Sequence, residues 1–106
     1  MEVKFNDFKN VELKVGRILE VNDHPNADKL YIMKVDTGEE RTLVAGIRKY
    51  YSKKELIGKK IIVVCNLEQK ELRGVKSEGM LLAASDGDKV SLLTVDKDVK
   101  EGSIIS

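Results

Sequence analysis

With 106 residues, 42% of them hydrophobic, the chain has material for one domain with a core and little room for a second active lobe. A formal net charge of +1 excludes a uniformly basic or acidic protein, yet nine Lys and Arg against three Glu between Arg48 and Lys76 give that stretch +6, between flanks of -2 (residues 1–47) and -3 (residues 77–106). The single cysteine excludes an intramolecular disulfide, no run approaches the roughly 20 apolar residues needed to span a bilayer, and Met1-Glu2-Val3-Lys4 does not start a signal peptide.

The expected location is therefore a reducing, cytoplasmic one, with no membrane as partner. Around Asp7 to Lys9 a turn of helix is expected to pack Phe5 or Phe8 against one end of the domain. From Val11 to Val21 the residues alternate, with Val11, Leu13 and Val15 on one side, the pattern of a half-buried antiparallel strand. The alternation changes phase near Gly16, where a bulge or sharp coil is expected. Asn22 to Lys29 is a polar loop, and Leu30 to Val35 a second strand ended by the turn Asp36-Thr37-Gly38. Arg41 to Ile47 gives a third strand, Lys60 to Leu67 an apolar fourth, and Gly79 to Ala84 a fifth before the turn Ser85-Asp86-Gly87. Val90 to Val95 and Ser103 to Ile105 are shorter strand candidates.

A short helix interrupts the strands. Ser52 can cap it, Glu55 stands where its carboxylate returns a bond to the cap amide, Tyr51 and Leu56 hold the staple positions, and Gly58 is a stop. Strands with a short helix after the third follow the order of an OB-fold: an all-β, five-stranded Greek-key barrel, here with a C-terminal extension. An SH3-like barrel fits the strand pattern but accommodates that helix less naturally.

The catalytic inventory is thin. His24 is the only histidine, so a zinc site would need several carboxylates around one imidazole, and its place before Pro25 in a polar loop favours a structural hydrogen bond. Cys65 lies in the apolar run Ile61 to Cys65 with no base beside it, and Ser77 has no triad partners nearby in sequence. Asp86/Asp88 and Asp96/Asp98 sit in turn-rich segments, and Gly74 and Gly79 do not make a phosphate loop. No catalytic residue, cofactor or metal is expected.

Binding chemistry is better represented. A basic central third reads either as a face for a polyanion or as ordinary solvated surface. Lys70, Arg73 and Lys76 lie at three-residue spacing in a loop or hairpin between the fourth and fifth strands, from which long cations can follow phosphates. Asn66 offers a donor and an acceptor, Ser77 a hydroxyl, and Met80 a flexible apolar side chain that either packs on a base or sugar or belongs to the core. Only Phe5, Phe8, Tyr31, Tyr50 and Tyr51 are aromatic, too few to stack successive bases, which points to recognition of a folded RNA by shape and backbone.

Several segments together carry a family resemblance: DF (Asp7-Phe8), VGRI (Val15–Ile18), HPNADKL (His24–Leu30), VDTG (Val35–Gly38), VAGI (Val44–Ile47), YY (Tyr50-Tyr51), LIGKK (Leu56–Lys60), NL (Asn66-Leu67) and LRGVKSEGM (Leu72–Met80). In this order and spacing residues 7–106 resemble the tRNA-binding domain, found as small free-standing proteins, at the C-terminus of many methionyl-tRNA synthetases, and in synthetase-associated factors. The resemblance implies an OB-fold that binds the outside corner of L-shaped tRNA with little sequence preference, commonly as a homodimer, and methionyl-tRNA synthetase as a partner. It matches Asn66, Lys70, Arg73, Ser77 and Met80 to the family's RNA-contacting positions; Lys76 joins them by its place in the basic link. It makes the HPNADKL loop chiefly architectural, with Asp28 and Lys29 ordering the turn. Glu68-Gln69 stands where many relatives have Lys-Pro, and with Glu71 nearby this implies weaker binding. A related OB-fold homodimer, a secretion-associated chaperone that binds extended peptides, is the alternative; Lys76-Ser77-Glu78 fits it, whereas the intact HPNADKL and Gly79-Met80 fit the tRNA binder. Residues 1–106 form one domain in this reading. The apolar residues of 86–106 either fold back over the barrel or, with the N-terminal edge, form a dimer interface.

Overall fold

In the computed structural model, which describes residues 1–106, the chain runs through α1 (Phe5–Lys9), β1 (Leu13–Asp23), β2 (Tyr31–Asp36), β3 (Glu40–Ala45), α2 (Lys53–Leu56), β4 (Lys60–Val64), β5 (Lys70–Leu72), β6 (Val75–Ser77), β7 (Met80–Leu81), β8 (Ala83–Asp86), β9 (Lys89–Leu92) and β10 (Ile104–Ile105). β1 organises the sheet because it is long enough to serve two partners. Its first half pairs antiparallel with β4, Leu13 opposite Val64 and Arg17 opposite Lys60, and its second half pairs with β2, Ile18 opposite Val35 and Asp23 opposite Tyr31. The strand order β3-β2-β1-β4-β7 makes a curled five-stranded, OB-fold-like sheet with α2 between its third and fourth strands.

The curl needs Gly16. A Cβ there would lie 2.7 Å from Val35 Cγ1 and 3.0 Å from Val63 Cγ2, so no larger residue lets the two walls meet. The register break falls slightly later, between Ile18 and Glu20, rather than at the glycine itself. Inside the curl, Ile18, Met33, Leu43, Leu56, Ile61 and Val63 are fully buried. α2 exists through the expected local chemistry: Ser52 Oγ accepts from Glu55 N at 3.2 Å and Glu55 Oε1 accepts from Ser52 N at 2.9 Å. The bond from the Ser52 amide, and after it the Ser52 side chain, hold the Glu55 carboxyl below its usual range. No helix is long and apolar enough to cross a membrane.

Two expectations change. The fifth strand is not continuous from Gly79 to Ala84: β7 pairs with β4, and after Leu82 the chain leaves it to form the β8–β9 hairpin, Ala83 opposite Leu92. Leu82 serves both partners, its N–H donating to Ile62 O at 3.3 Å and its carbonyl accepting from Leu93 N at 3.0 Å. That hairpin returns Leu92 to the core, where its amide donates to the Tyr51 hydroxyl at 3.1 Å. The N-terminal helix forms, but it buries none of its residues, and Phe5 and Phe8 remain 71% and 51% exposed.

Residues 98–105 fold back on the free edge of β1. Ser103 O accepts from Val15 N at 2.9 Å, Gly102 N donates to Val15 O at 2.8 Å, and β10 pairs with Leu13 and Lys14. Lys60 Nζ fixes this segment by donating to the Asp98 carboxylate and the Val99 carbonyl, with Glu101 at 3.5 Å. The bond to Asp98 raises the Lys60 ammonium and lowers the Asp98 carboxyl; Glu101 is lowered chiefly by its own backbone amide and then by Lys60. A depressed carboxylate contributes stability above its unfolded value and loses it as pH falls through the folded value; a raised lysine loses its contribution only as pH rises past its folded value. The tether should therefore be constant between about pH 5 and 10 and loosen below about pH 4. Methyl shifts of Ile104 and Ile105 followed from pH 7 to 3 check this, and Lys60→Ala should remove the Asp98 part of the acid transition.

Candidate nucleic-acid interface

β5 and β6 form a hairpin, Lys70 opposite Ser77, Glu71 opposite Lys76 and Leu72 opposite Val75. Its tip is the two-residue turn Arg73-Gly74, with φ of 53° and 90°. Two consecutive left-handed residues match the twist of the flanking strands, and Gly74 supplies one of them without steric cost. Because side chains alternate, Lys70 and Ser77 share one face of the hairpin while Glu71 and Lys76 share the other.

The face carrying Lys70 closes a groove of about 640 Å³ with β3 and β7, whose apolar wall includes Val44, Leu67, Leu72, Met80 and Leu81. Lys70, Ser77 and Met80 thus meet in one groove. Met80 is 48% exposed, so it belongs to this surface and not to the core. Arg73 instead faces a second cleft beside the loop of Ala27 to Leu30, and Lys76 stands on the far side of the hairpin. Asn66 lies apart from all of these, in a cleft with Phe5, Phe8 and Ile104. Its Oδ1 accepts from Glu12 N at 2.8 Å and its Nδ2 donates to Asn10 O at 2.6 Å, so its amide pins the N-terminal segment.

Ser77 is the most revealing placement. The outer edge of β3 has no regular strand beside it, and an unpaired edge there would leave buried amides without partners. Two side chains and one main-chain amide take the strand's place: Ser77 Oγ accepts from Val44 N at 3.0 Å, Glu78 Oε1 accepts from Thr42 N at 2.8 Å, and Glu78 N donates to Thr42 O at 2.8 Å. The Ser77 hydroxyl donates its one proton to Gly79 O at 2.8 Å, and the residue is 5% exposed. Gly79 must be glycine, since at φ 151° a Cβ would stand 2.8 Å from Val64 O. Ser77→Ala should then cost about 1–3 kcal/mol in thermal or urea unfolding, because Val44 N–H loses its partner in the barrel wall. A hydroxyl serving only a ligand would leave stability within about 0.5 kcal/mol.

Arg41 and Glu78 brace the barrel, a part that the sequence pattern does not assign them. Arg41 Nη1 donates to Cys65 O and to Glu78 O, each at 3.0 Å, and its Nε donates to Thr37 Oγ1 at 2.9 Å. It therefore ties the end of β4 to the segment after β6. The signal available along the chain is a cation just before the apolar run Leu43–Ala45. Cys65 is buried, and desolvation pushes its thiol up, away from a reactive thiolate. His24 is buried as well, Nδ1 accepting from Asn26 N at 3.0 Å and Nε2 facing Leu72 O at 2.9 Å, so the proton sits on Nε2.

Charge pairing separates two groups of cations in the basic third. Arg48 and Lys53 share Asp23, and Lys60 serves the C-terminal tether. Lys49, Lys54, Lys59, Lys70, Arg73 and Lys76 make no ion pair, although Lys59 lies 5.9 Å from the Tyr51 ring centre. Glu68 and Gln69 line the main groove, and the Glu68 carboxylate lowers its positive potential.

A curled OB-type barrel with unpaired cations on a hairpin above an apolar groove defines a small nucleic-acid-binding module. The chain belongs to the tRNA-binding domain family: the family described as "Putative tRNA binding domain" matches residues 13–104. It is 64% identical over 102 residues to a methionine–tRNA ligase of Pyrococcus horikoshii and 53% identical over 105 residues to that of Caldanaerobacter subterraneus, covering 95% and 98% of this chain. The chain spans only 14% and 16% of the length of these relatives. Among solved structures, a MetRS related protein from Pyrococcus horikoshii superposes with a TM-score of 0.91 at 38% identity, covering 100% of both chains. The CsaA chaperone protein from Picrophilus torridus does so equally well, with a TM-score of 0.91 and 38% identity over 99% of this chain and 100% of its own. What matches is a binding module and not the catalytic core of an enzyme.

Proposed function

We propose that the protein binds tRNA by its folded shape and phosphate backbone, without catalysing a reaction, as a homodimeric module in the cytoplasm that serves methionyl-tRNA synthetase. The observation that carries this reading is the set of unpaired cations Lys70, Arg73 and Lys76 on a hairpin that overhangs a groove. Such cations release counterions from phosphates, and the groove can take a sugar or base edge against Met80. The match to methionine–tRNA ligases supports the synthetase as partner. Dimerisation is supported by the apolar cluster of Phe5, Phe8, Val11 and Ile104, exposed around a cleft of about 360 Å³.

The groove's apolar wall and the likeness to a chaperone also fit an extended peptide as ligand. Competition distinguishes the two. Intact tRNA should displace labelled tRNA better than its separate acceptor or anticodon hairpins, and an unfolded peptide should not displace it. Equal competition by one hairpin would refute shape recognition, and displacement by the peptide would favour the second reading.

A further inference from the structure

We infer that the RNA-contacting surface continues past the hairpin tip onto the loop of residues 24–30, with Lys29 as a further phosphate contact and His24 as the residue that holds the two parts together. This rests on the tRNA-binding reading above.

Three observations carry it. First, the side chains of Asp28 and Lys29 do not order their own turn. The turn is made by backbone bonds, Leu30 N to Ala27 O at 3.2 Å and His24 N to Leu30 O at 3.1 Å, together with the Nδ1 of His24. Neither charged side chain takes part in a hydrogen bond or ion pair, and both are exposed. Second, Lys29 and Arg73 line a shared cleft of about 400 Å³, with Ala27, Asp28 and Leu30 as its remaining wall. Two unpaired cations from segments more than forty residues apart thus flank one opening, in which a phosphate would meet both. Third, the two walls are joined by a buried side chain. His24 Nε2 donates to the carbonyl of Leu72, the residue before Arg73, at 2.9 Å, while Nδ1 accepts from Asn26 N at 3.0 Å. The imidazole, 3% exposed, sets the distance between the loop and a tip that holds Arg73 at φ 53°.

The two ring nitrogens can be tested separately. In His24→Gln the amide nitrogen stands near Nε2 and can keep the bond to Leu72 O; in His24→Asn the oxygen stands near Nδ1 and only the bond to Asn26 remains. Total tRNA binding would be measured at several salt concentrations for the wild type, both His24 variants, Lys29→Gln and Asp28→Asn. Lys29→Gln should weaken binding about three- to tenfold and lower the salt slope by about one. Asp28→Asn should strengthen it by a smaller factor, since it removes a repelling charge from the same cleft. His24→Asn should weaken binding about tenfold or more with a reduced slope, and His24→Gln should stay near wild type. Unchanged affinity and slope in Lys29→Gln would overturn the proposal, as would equal binding by the two His24 variants when both are folded. Should His24→Asn not fold, the exposed Lys29 and Asp28 still decide the matter. A wild type that binds no tRNA would overturn the underlying reading and this inference together, whereas binding by the wild type with no effect of Lys29→Gln removes only the inference.

Discussion

Replacing Lys70, Arg73 and Lys76 together, as Lys70→Gln, Arg73→Asn and Lys76→Gln, should weaken tRNA binding by about 10²–10³-fold and lower its salt slope by about two to three. Asn is chosen at position 73 because it tolerates the left-handed backbone that the turn requires. The estimate follows from three charge-assisted contacts of about 1–1.4 kcal/mol each at a wet surface, where desolvation and screening hold them near the lower end of their range. None of the three residues is in the core, so thermal stability should stay within about 0.5 kcal/mol. The single substitutions resolve the geometry. Lys70 faces the groove and Lys76 the opposite side of the hairpin. A loss at Lys76 equal to that at Lys70 would mean that the backbone wraps the hairpin, and a loss confined to Lys70 and Arg73 would mean that it follows the groove alone. An unaltered affinity in the triple variant would remove the hairpin from the site.

The second large effect concerns assembly. If the proposed homodimer forms, Phe8→Asp combined with Ile104→Asp should convert it to a monomer at micromolar concentration, read by sedimentation equilibrium. In a two-fold interface each substitution occurs twice, so an average cost of about 1 kcal/mol per altered side chain weakens association by about 10³-fold. In the single protomer these residues are 51% and 78% exposed, so the variant should keep its fold and unfolding midpoint. That separates loss of assembly from loss of structure. Truncating the chain after Ser85 would not, because it removes Leu92 from the core. A wild-type monomer under the same conditions would contradict the dimer.

What could be read along the chain was mostly local. The helix cap at Ser52 and Glu55 needs only residues three apart, and it formed as its chemistry requires. The link after β4 reads along the chain only as a loop or hairpin, because an arginine does not announce the left-handed backbone that puts the tip at Arg73-Gly74. His24 was legible as a structural histidine, although its partner Leu72 O, 48 residues away, was not. Closure of the barrel was hidden for the same reason. Nothing near Ser77 and Glu78 announces that their side chains replace strand carbonyls along β3, because that depends on which edge the curl brings opposite. The change of phase near Gly16 points to a bulge or sharp coil in that neighbourhood, but it does not say that Gly16 itself is needed for a close approach while the register breaks beside Leu19. Hydrophobicity alone expects Phe5 or Phe8 to pack on one barrel end, and it does not distinguish a residue buried by folding from one left at the surface.

The central claim is that the unpaired cations of the β5–β6 hairpin meet the phosphates of a folded RNA. Its most direct measurement is the affinity of the intact protein for total tRNA between about 50 and 200 mM salt, compared with duplex RNA of equal length. About three to five neutralised phosphates predict a log–log slope between about -3 and -5 and a loss of about 10²–10³-fold over that range, with tRNA bound more tightly than the duplex throughout. A flat salt dependence, or duplex RNA bound as tightly as tRNA, would contradict it.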